Sequence, residues 1–351
     1  MVVFGVDPHK PTHTVSAVDD LGRALGQLTV PARPDGHLRL LAWARRFGPQ
    51  RRWAIEDCRH VAGGLVRDLL GAGEQVVMVP PRLMARSRAS ARTRGKSDPI
   101  DALAVGRAAL REPDLPAAHL DGPTLDLRLL IDHREDLVAE RTRMINRLRW
   151  HLHDLDPDLN PPAATLHRPR VLTELATRLS ALPPGVRRDL AAELCQRITE
   201  HTERITTLET QITEQVRPLA PTLLAIVGIG PLTAAKLLGE TGGAARFGRA
   251  ARFAAHTGTA PIPVWTSNRT KHRLNRGGNR QLNAALHRVA ITQLRCHPPA
   301  HDLIQRRLRD HHDTKAGALR VLKRHLADVV YAALTTDEHT RTNPHDHPAA
   351  A

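Results

Sequence analysis

The first 112 residues alternate short apolar runs with amphipathic stretches, and this pattern predicts strands and helices in turn. The run at 2–6 predicts a buried strand, and runs at 13–18 and 25–30 flank a polar turn, which predicts a three-stranded meander. The elements expected next are a helix over 36–47, a strand over 52–56, a helix over 61–70, a strand over 75–79 and a helix that begins at 97–99. Ser97 suits the N-cap of that last helix, and Pro99 suits its first turn.

The pattern changes after residue 120, where one long basic helix is expected over 123–155. Its apolar positions recur at heptad-like spacing: Leu130, Leu137, Met144, Leu148 and Leu155. A second heptad-like run predicts another long helix over 187–217, with Leu194, Ile198, Ile205, Leu208, Ile212 and Val216 on one side. Two such helices either fold back as an antiparallel coiled-coil arm or pair between subunits. The earlier order of elements, βββαβαβα, is that of the RNase H-like fold.

Composition narrows the class of protein further. The 351 residues suffice for two domains and a connector, and with only 3% aromatic residues their cores must be built from aliphatic side chains. A formal net charge of +15 favours a polyanionic partner. The three cysteines are scattered without a CxxC pair, so the sequence indicates neither a disulfide framework nor a zinc knuckle. Without a signal peptide or an apolar stretch of membrane-spanning length, we expect a cytoplasmic protein with no membrane partner.

Four acidic residues fall at the ends of the predicted elements. Asp7 ends the first strand and Glu56 ends the fourth, while Asp98 and Asp101 are three apart and share one helical face. Four clustered carboxylates repel one another unless cations neutralise them, and two Mg²⁺ ions serve this purpose in phosphodiester chemistry. The alternative is that each acid caps an element or lies in solvent, but the joint placement of four acids favours a metal site.

Basic residues and histidines flank these acids in the sequence. Lys10 and Lys96 are expected to hold a phosphate, unless they are ordinary solvated lysines. His9 and His13 are four apart, but they straddle a loop rather than a helix. We therefore do not expect them to bind a metal ion.

The second half contains a glycine turn and a serine in a basic segment. Gly228 and Gly230 separate two apolar stretches, as in a helix-hairpin-helix, where the next helix offers free N–H groups to a phosphate. A purely structural hairpin is the alternative. Ser267 lies in a segment predicted to be a loop, and the polar residues after it include Arg269, Lys271, Arg273, Arg276, Asn279 and Arg280. On chemistry alone a lone serine in a basic loop is an ordinary loop residue, although such cations would stabilise charge on an attacked phosphorus.

These segments resemble the transposases of insertion-sequence family 110, relatives of the Piv-type DNA invertases. In the first half the similar segments are GVDPHKPTH at 5–13, GKSDPIDA at 95–102, REDLV at 134–138 and NRL at 146–148. In the second half they are GIG at 228–230, TAP at 259–261 and GNR at 278–280. The resemblance covers about residues 2–334.

The resemblance implies a RuvC-like domain with a DEDD tetrad, a coiled-coil connector and a transposase domain with a catalytic serine. It places the tetrad on Asp7, Glu56, Asp98 and Asp101, and the serine on Ser267. It also implies a structured guide RNA and a homo-oligomer, a dimer or tetramer, acting on the DNA of element ends and target. The family usually has Gly after the serine, where this chain has Asn268, which also tolerates the left-handed backbone. Thr266 is the alternative nucleophile.

The expected fold class is therefore α/β plus α. We expect a RuvC-like DEDD domain at 1–115, a helical connector at 120–217, a mostly helical transposase domain at 218–334 and a disordered tail at 335–351.

The expected function is DNA recombination through a phosphoserine intermediate. A structure-selective nuclease of the Holliday-junction type would need only the first domain. A non-catalytic nucleic-acid-binding protein is the third interpretation.

Overall fold

A computed structural model of the chain describes residues 1–57, 59–80, 83–84, 97–112, 115–118, 122–266, 269–275 and 277–343. The chain divides into two compact units. The first comprises Met1–Asp121, Gly243–Arg280 and Ala327–Tyr331, and the second comprises Gly122–Gly242, Gln281–Leu326 and Ala332–Ala351. The expectations for Lys96, Ser267 and Arg276 concern residues outside the described ranges.

The N-terminal part of the first unit contains a five-stranded mixed sheet. Its strands are β1 Val2–Pro8, β2 Thr12–Val18, β3 Ala24–Pro31, β4 Arg51–Glu56 and β5 Val76–Val79. Their order is β3-β2-β1-β4-β5, with β1, β2 and β3 antiparallel and with β1, β4 and β5 parallel. The helices of this region are α1 Pro34–Ala44, α2 Arg59–Gly71 and α3 Asp98–Arg111. This topology confirms the predicted RNase H-like fold.

The alternation of side chains along the strands builds two separate cores. Phe4 of β1 and Ile55 of β4 belong to a core that includes residues of α1 and α2. Val3 and Ala54, one position away, face the opposite core with residues of α3. Because successive side chains of a strand point to opposite faces, every odd-numbered residue of β1 lies on the α3 side of the sheet.

The close packing of α3 on β1 requires glycine on both surfaces. A Cβ atom added to Gly5 would lie 2.2 Å from the carbonyl oxygen of Ala102 and 2.3 Å from the amide nitrogen of Gly106. A Cβ atom on Gly106 would lie 2.4 Å from Cγ2 of Val18. These glycines allow backbone to approach backbone, as glycine alone permits. The contact holds α3 against the second half of β1.

Two long helices of the second unit, α4 Pro123–Leu155 and α6 Val186–Leu219, pair antiparallel within one chain. Arg134 contacts Glu209 at 2.5 Å, and Arg187 contacts Asp154 at 3.6 Å, so residue numbers rise on one helix as they fall on the other. The predicted heptad residues of α6 are all buried: Leu194, Ile198, Ile205, Leu208, Ile212 and Val216. A further helix, α5 Pro169–Ser180, which we did not predict, packs on α6. On α4, Met144 and Leu148 of the predicted heptad residues are buried, whereas Leu130, Leu137 and Leu155 are half-buried. The two helices therefore bury most of their predicted apolar positions within one chain.

The remaining elements are mostly helical. They are α7 Pro221–Leu224, α8 Pro231–Thr241, α9 Ala250–His256, β6 Ile262–Thr266, β7 Arg269–Arg273, α10 Arg280–Cys296, α11 Pro298–Asp310 and α12 Lys315–Thr342. Strands β6 and β7 pair antiparallel in the segment that we predicted to be a loop, because their β-branched and aromatic residues favour a strand. Helix α12 also extends eight residues into the predicted tail, since no proline interrupts the sequence before Pro344.

A buried lysine joins α8 to α4 in the second unit. Lys236 is only 1% exposed, and its Nζ donates hydrogen bonds of 2.8 Å to Oδ1 of Asp132 and to Oε2 of Glu135. Burial lowers the pKa of Lys236, but the hydrogen bonds to both carboxylates outweigh burial and hold the pKa above its ordinary value. The ammonium therefore stays charged and fixes the helix that follows the glycine turn.

We expect Lys236→Ala to lower the free energy of unfolding by about 2–4 kcal/mol, because a cavity forms and two carboxylates lose their cation. Urea unfolding of the full chain measures the loss. Lys315→Ala, at the exposed start of α12, is the matched control and should change stability by less than about 0.5 kcal/mol. Equal stability of the two variants would show that this ion cluster contributes nothing.

Candidate active site

The first strand ends in a buried carboxylate. Asp7 is 5% exposed and lies on the α3 side of the sheet, two residues beyond Gly5. Its Oδ2 is buried and has no hydrogen-bond partner among the residues that the structure describes. Because burying an ionised carboxylate without a partner is costly, this oxygen provides a position that a cation would stabilise.

Glu56 ends the neighbouring parallel strand on the same face of the sheet. The register pairs Gly5 with Ala54 and Val6 with Ile55, so Asp7 and Glu56 extend adjacent strands at the same edge. Had Glu56 been on the opposite face, the predicted grouping of acids would have been impossible. The side chain of Glu56 is half-buried.

The first turn of α3 supplies the other two acids. Asp98 is exposed to solvent, whereas Asp101 is buried and only 5% exposed. Ser97 occupies the N-cap position with an extended backbone, but its side chain makes no capping hydrogen bond. Pro99 lies in the first turn, as predicted from its fixed φ.

The pKa of Asp7 reflects the other three carboxylates near it. Burial raises the pKa of Asp7 to about 6 from its ordinary 3.8. The charge of His9 opposes this rise, whereas repulsion from Asp101, Glu56 and Asp98 adds to it. Such a cluster holds a cation well, because each added positive charge offsets repulsion among the acids.

His9 also lies among these acids, although we did not expect it to bind a metal ion. Its Nδ1 is 3.8 Å from Oδ2 of Asp7, and its Nε2 is 3.8 Å from Oδ1 of Asp98. One ligand atom from each of the three residues lies within 4.8 Å of the others. His13, four residues further on, is instead buried and stacks on His37. The position of His9 two residues after Asp7, at the end of β1, places it beside the acids.

The raised pKa of Asp7 predicts that Asp7→Asn stabilises the metal-free protein. Since the folded pKa is above the unfolded one, the folded state binds more protons between pH 4 and 6, and stability falls as pH rises through this window. The asparagine side chain cannot ionise, so the variant escapes this penalty. In EDTA, the free energy of unfolding of the variant should exceed that of the wild type by about 2–3 kcal/mol at pH 7.5 and by about 1 kcal/mol at pH 4.5. Urea unfolding at both pH values tests this, and a variant less stable at pH 7.5 would contradict it.

Several residues predicted to bind nucleic acid can be located. Lys10 is exposed in the turn that follows His9. Arg269 and Lys271 belong to β7, and Thr266 pairs with Arg269 at the end of the two-stranded ribbon. The exposed residues Arg273 and Arg280 follow, with Asn279 between them, its N–H bonded to the carbonyl oxygen of His256.

The glycine turn is held by two side chains of one later helix, α10. Gly228 has a φ of +88° and lies against Thr292. The side-chain amide of Gln293 donates a hydrogen bond of 2.8 Å to the carbonyl oxygen of Val227. Gly230 is exposed and precedes α8 without a side-chain cap, so the first N–H groups of that helix have no capping side chain.

Comparison with known proteins finds a transposase family match in each half of the chain. The DEDD-type IS110 transposase family matches residues 4–157, and the transposase IS116/IS110/IS902 family matches residues 220–305. The chain belongs to the IS110 family of transposases. This transposase is 29% identical to the 44.8 kDa protein of insertion element IS116 from Streptomyces clavuligerus, with 94% of each chain covered. It is 28% identical to the 42 kDa protein of IS900 from Mycobacterium paratuberculosis, covering 99% of this chain and 98% of that one.

Among solved structures, the transposase matches RuvC of Thermus thermophilus at 20% identity and a TM-score of 0.28, covering 34% of this chain and 100% of that one. Within the described part of the transposase, no helix has both the length and the apolar character needed to cross a membrane.

Proposed function

We propose that this transposase cuts and rejoins DNA at its carboxylate cluster. Asp7, Glu56, Asp98 and Asp101 would hold the cations, which we propose to be two Mg²⁺ ions. The observation that carries the proposal is the buried Oδ2 of Asp7, which has no hydrogen-bond partner within the described part of the chain and is repelled by three other acids. When bound, such ions activate an attacking oxygen and neutralise charge on the phosphate.

The positive charge of the chain supports phosphate binding beside this cluster. The formal charge is +15, and Lys10 is exposed in the turn directly after His9. In our proposal Lys10 contacts a phosphate of the bound strand, with Lys96 as a second contact. Gly228 and Gly230 support a further phosphate contact at the start of α8, in the manner of a helix-hairpin-helix. Phosphate contacts of this kind give affinity and position rather than sequence choice.

We propose Ser267 as the nucleophile that conserves the phosphodiester bond energy. Its Oγ would bond to phosphorus while the bond from phosphorus to the leaving deoxyribose oxygen breaks, and that oxygen takes up a proton. A deoxyribose hydroxyl of the other DNA end would then attack the phosphoserine and release Ser267. The exchange needs no oxidant and no nucleotide. Support comes from the family resemblance and from the polar residues that follow on the same segment: Arg269, Lys271, Arg273, Arg276, Asn279 and Arg280.

We further propose that a structured guide RNA and a homo-oligomer take part in the reaction. The support for both is the family resemblance, and the net charge of +15 favours a polyanionic partner of either kind. Since base pairing would read the DNA sequence, the protein itself would need few base-specific contacts.

A hydrolytic, structure-selective nuclease is the second candidate. It is favoured by the position of the carboxylate cluster, all of whose acids lie within residues 7–101 and none on the serine segment. A water molecule would then replace the serine hydroxyl, and the cut ends would not be rejoined.

Trapping of a covalent intermediate distinguishes these candidates. The full chain is incubated with DNA that carries the element ends, with its flanking RNA and with Mg²⁺, then denatured and separated by size. We expect DNA attached to protein, lost in EDTA and reduced without the RNA. Free cut ends with no attached protein would favour the nuclease. Binding without any cut strand would show that the chain does not catalyse the reaction.

A further inference from the structure

We propose that His9 is a ligand of one of the two cations, which makes this position a mixed nitrogen–oxygen site that favours Mn²⁺ over Mg²⁺. The ligands of this position would be Asp7, His9 and Asp98. The inference rests on the proposed function, because it requires the carboxylate cluster to bind a divalent ion. It goes beyond an all-carboxylate tetrad by adding an imidazole and by assigning the ion that the site prefers.

The first observation is the distance between the imidazole and the two acids. Each nitrogen of His9 lies 3.8 Å from a carboxylate oxygen, one of Asp7 and one of Asp98. These separations are too long for hydrogen bonds, which end near 3.2 Å. One ion can bind only one nitrogen of the ring, and one ligand atom from each of the three residues lies within 4.8 Å of the others. Two ligands that share an ion at about 2.1 Å from each lie at most about 4.2 Å apart, so small side-chain rotations would complete the site.

The second observation is the unpartnered oxygen of Asp7. The Asp7 side chain is 8% exposed, and its Oδ2 is the very atom that lies 3.8 Å from Nδ1 of His9. The side chains of His9 and Asp98 are about half exposed, at 46% and 52%. Because they are exposed, these two side chains can rotate and bring a ligand atom of each towards the buried oxygen of Asp7.

The backbone fixes the position of His9 beside Asp7. Pro8 ends β1 and restricts the chain just before His9. The N–H of His9 donates a hydrogen bond of 2.9 Å to the carbonyl oxygen of Thr12, which closes a tight turn into β2. The imidazole is therefore carried by a short turn between two paired strands.

The choice of ion follows from the ligand type. Mg²⁺ prefers oxygen ligands and keeps several water molecules, whereas imidazole is a common ligand of first-row transition metals. Mn²⁺ accepts both carboxylate oxygen and imidazole nitrogen. Removal of the imidazole should therefore weaken the binding of Mn²⁺ more than the binding of Mg²⁺.

Pulsed electron paramagnetic resonance of Mn²⁺ on the full chain, without DNA, tests the proposal. We expect coupling to ¹⁴N that changes on ¹⁵N-histidine labelling and disappears in His9→Ala. His133→Ala, an exposed histidine of α4, is the matched control and should keep the coupling. By calorimetry His9→Ala should weaken Mn²⁺ binding by about 10-fold or more and Mg²⁺ binding by less than about 3-fold. Urea unfolding of His9→Ala in EDTA, expected to match the wild type, controls for folding.

The outcomes separate this proposal from the proposed function. Mn²⁺ bound to the wild type without nitrogen coupling, and lost in Asp7→Asn, would overturn the role of His9 and leave the carboxylate site intact. Coupling that persists in His9→Ala would overturn it as well. If the wild type binds neither Mn²⁺ nor Mg²⁺ in the presence of DNA, both proposals fail.

Discussion

Asp7→Asn is expected to lower the rate of DNA strand cleavage by at least about 10³-fold while leaving DNA binding within about 2-fold. The substitution keeps the volume of the side chain but removes the charge of a buried carboxylate in the cluster. Among the described residues, its buried Oδ2 has no hydrogen-bond partner, so its negative charge is available to a cation. Single-turnover cleavage of labelled element-end DNA at saturating Mg²⁺ measures the rate, and filter binding measures affinity.

Asp20→Asn is the matched control for this prediction. Asp20 is exposed in the turn between β2 and β3, at the end of the sheet away from Asp7, because Val3 rather than Asp7 pairs with Val18. This variant should cleave at the wild-type rate. Cleavage by Asp7→Asn within 10-fold of the wild type would remove the cluster from the chemistry. The same variant is expected to be more stable than the wild type in EDTA, so misfolding cannot account for lost activity.

The second large effect is expected for Ser267→Ala. Removal of the hydroxyl should abolish the covalent protein–DNA intermediate and lower DNA joining by at least about 10³-fold. Binding of Mn²⁺ and Mg²⁺ by the carboxylate cluster should not change. The measurement is the amount of DNA-attached protein after denaturation, together with the yield of joined strands.

Thr266→Ala is the matched control, because Thr266 adjoins the serine and ends strand β6. It should retain both the covalent intermediate and the joined product. The reverse result, loss in Thr266→Ala and retention in Ser267→Ala, would move the nucleophile by one residue. Full joining by both variants would favour the hydrolytic interpretation of the carboxylate site.

The sheet and its carboxylates could be predicted because each depends on local pattern. The apolar run at 2–6 predicted the buried strand β1, and the positions of Asp7 and Glu56 at strand ends predicted that both acids lie at one edge of the sheet. The burial of Asp7 and Asp101 could not be predicted in the same way. It depends on Gly5 and Gly106, which lie 101 residues apart and allow α3 to touch β1. No local pattern reports that two distant glycines will meet.

Other features could not be predicted from local spacing alone. His9 follows a strand end, so its position beside the acids depends on Asp7 rather than on the four-residue spacing to His13. The segment of β6 and β7 was predicted to be a loop, and the structure corrects this to a two-stranded ribbon. Helix α5 and the last turns of α12 follow from packing and from the absence of proline, neither of which the heptad pattern reveals.

The central claim is that acids from separate elements form one cation site that drives DNA cleavage, and Glu56→Gln tests it most directly. Glu56 lies on β4, whereas Asp7 lies on β1 and the other two acids lie on α3. Single-turnover cleavage of element-end DNA by Glu56→Gln should fall at least about 10²-fold, because one charged ligand of the cations is lost. Glu112→Gln, exposed at the far end of α3, should cleave at the wild-type rate. A wild-type rate for Glu56→Gln would contradict the account.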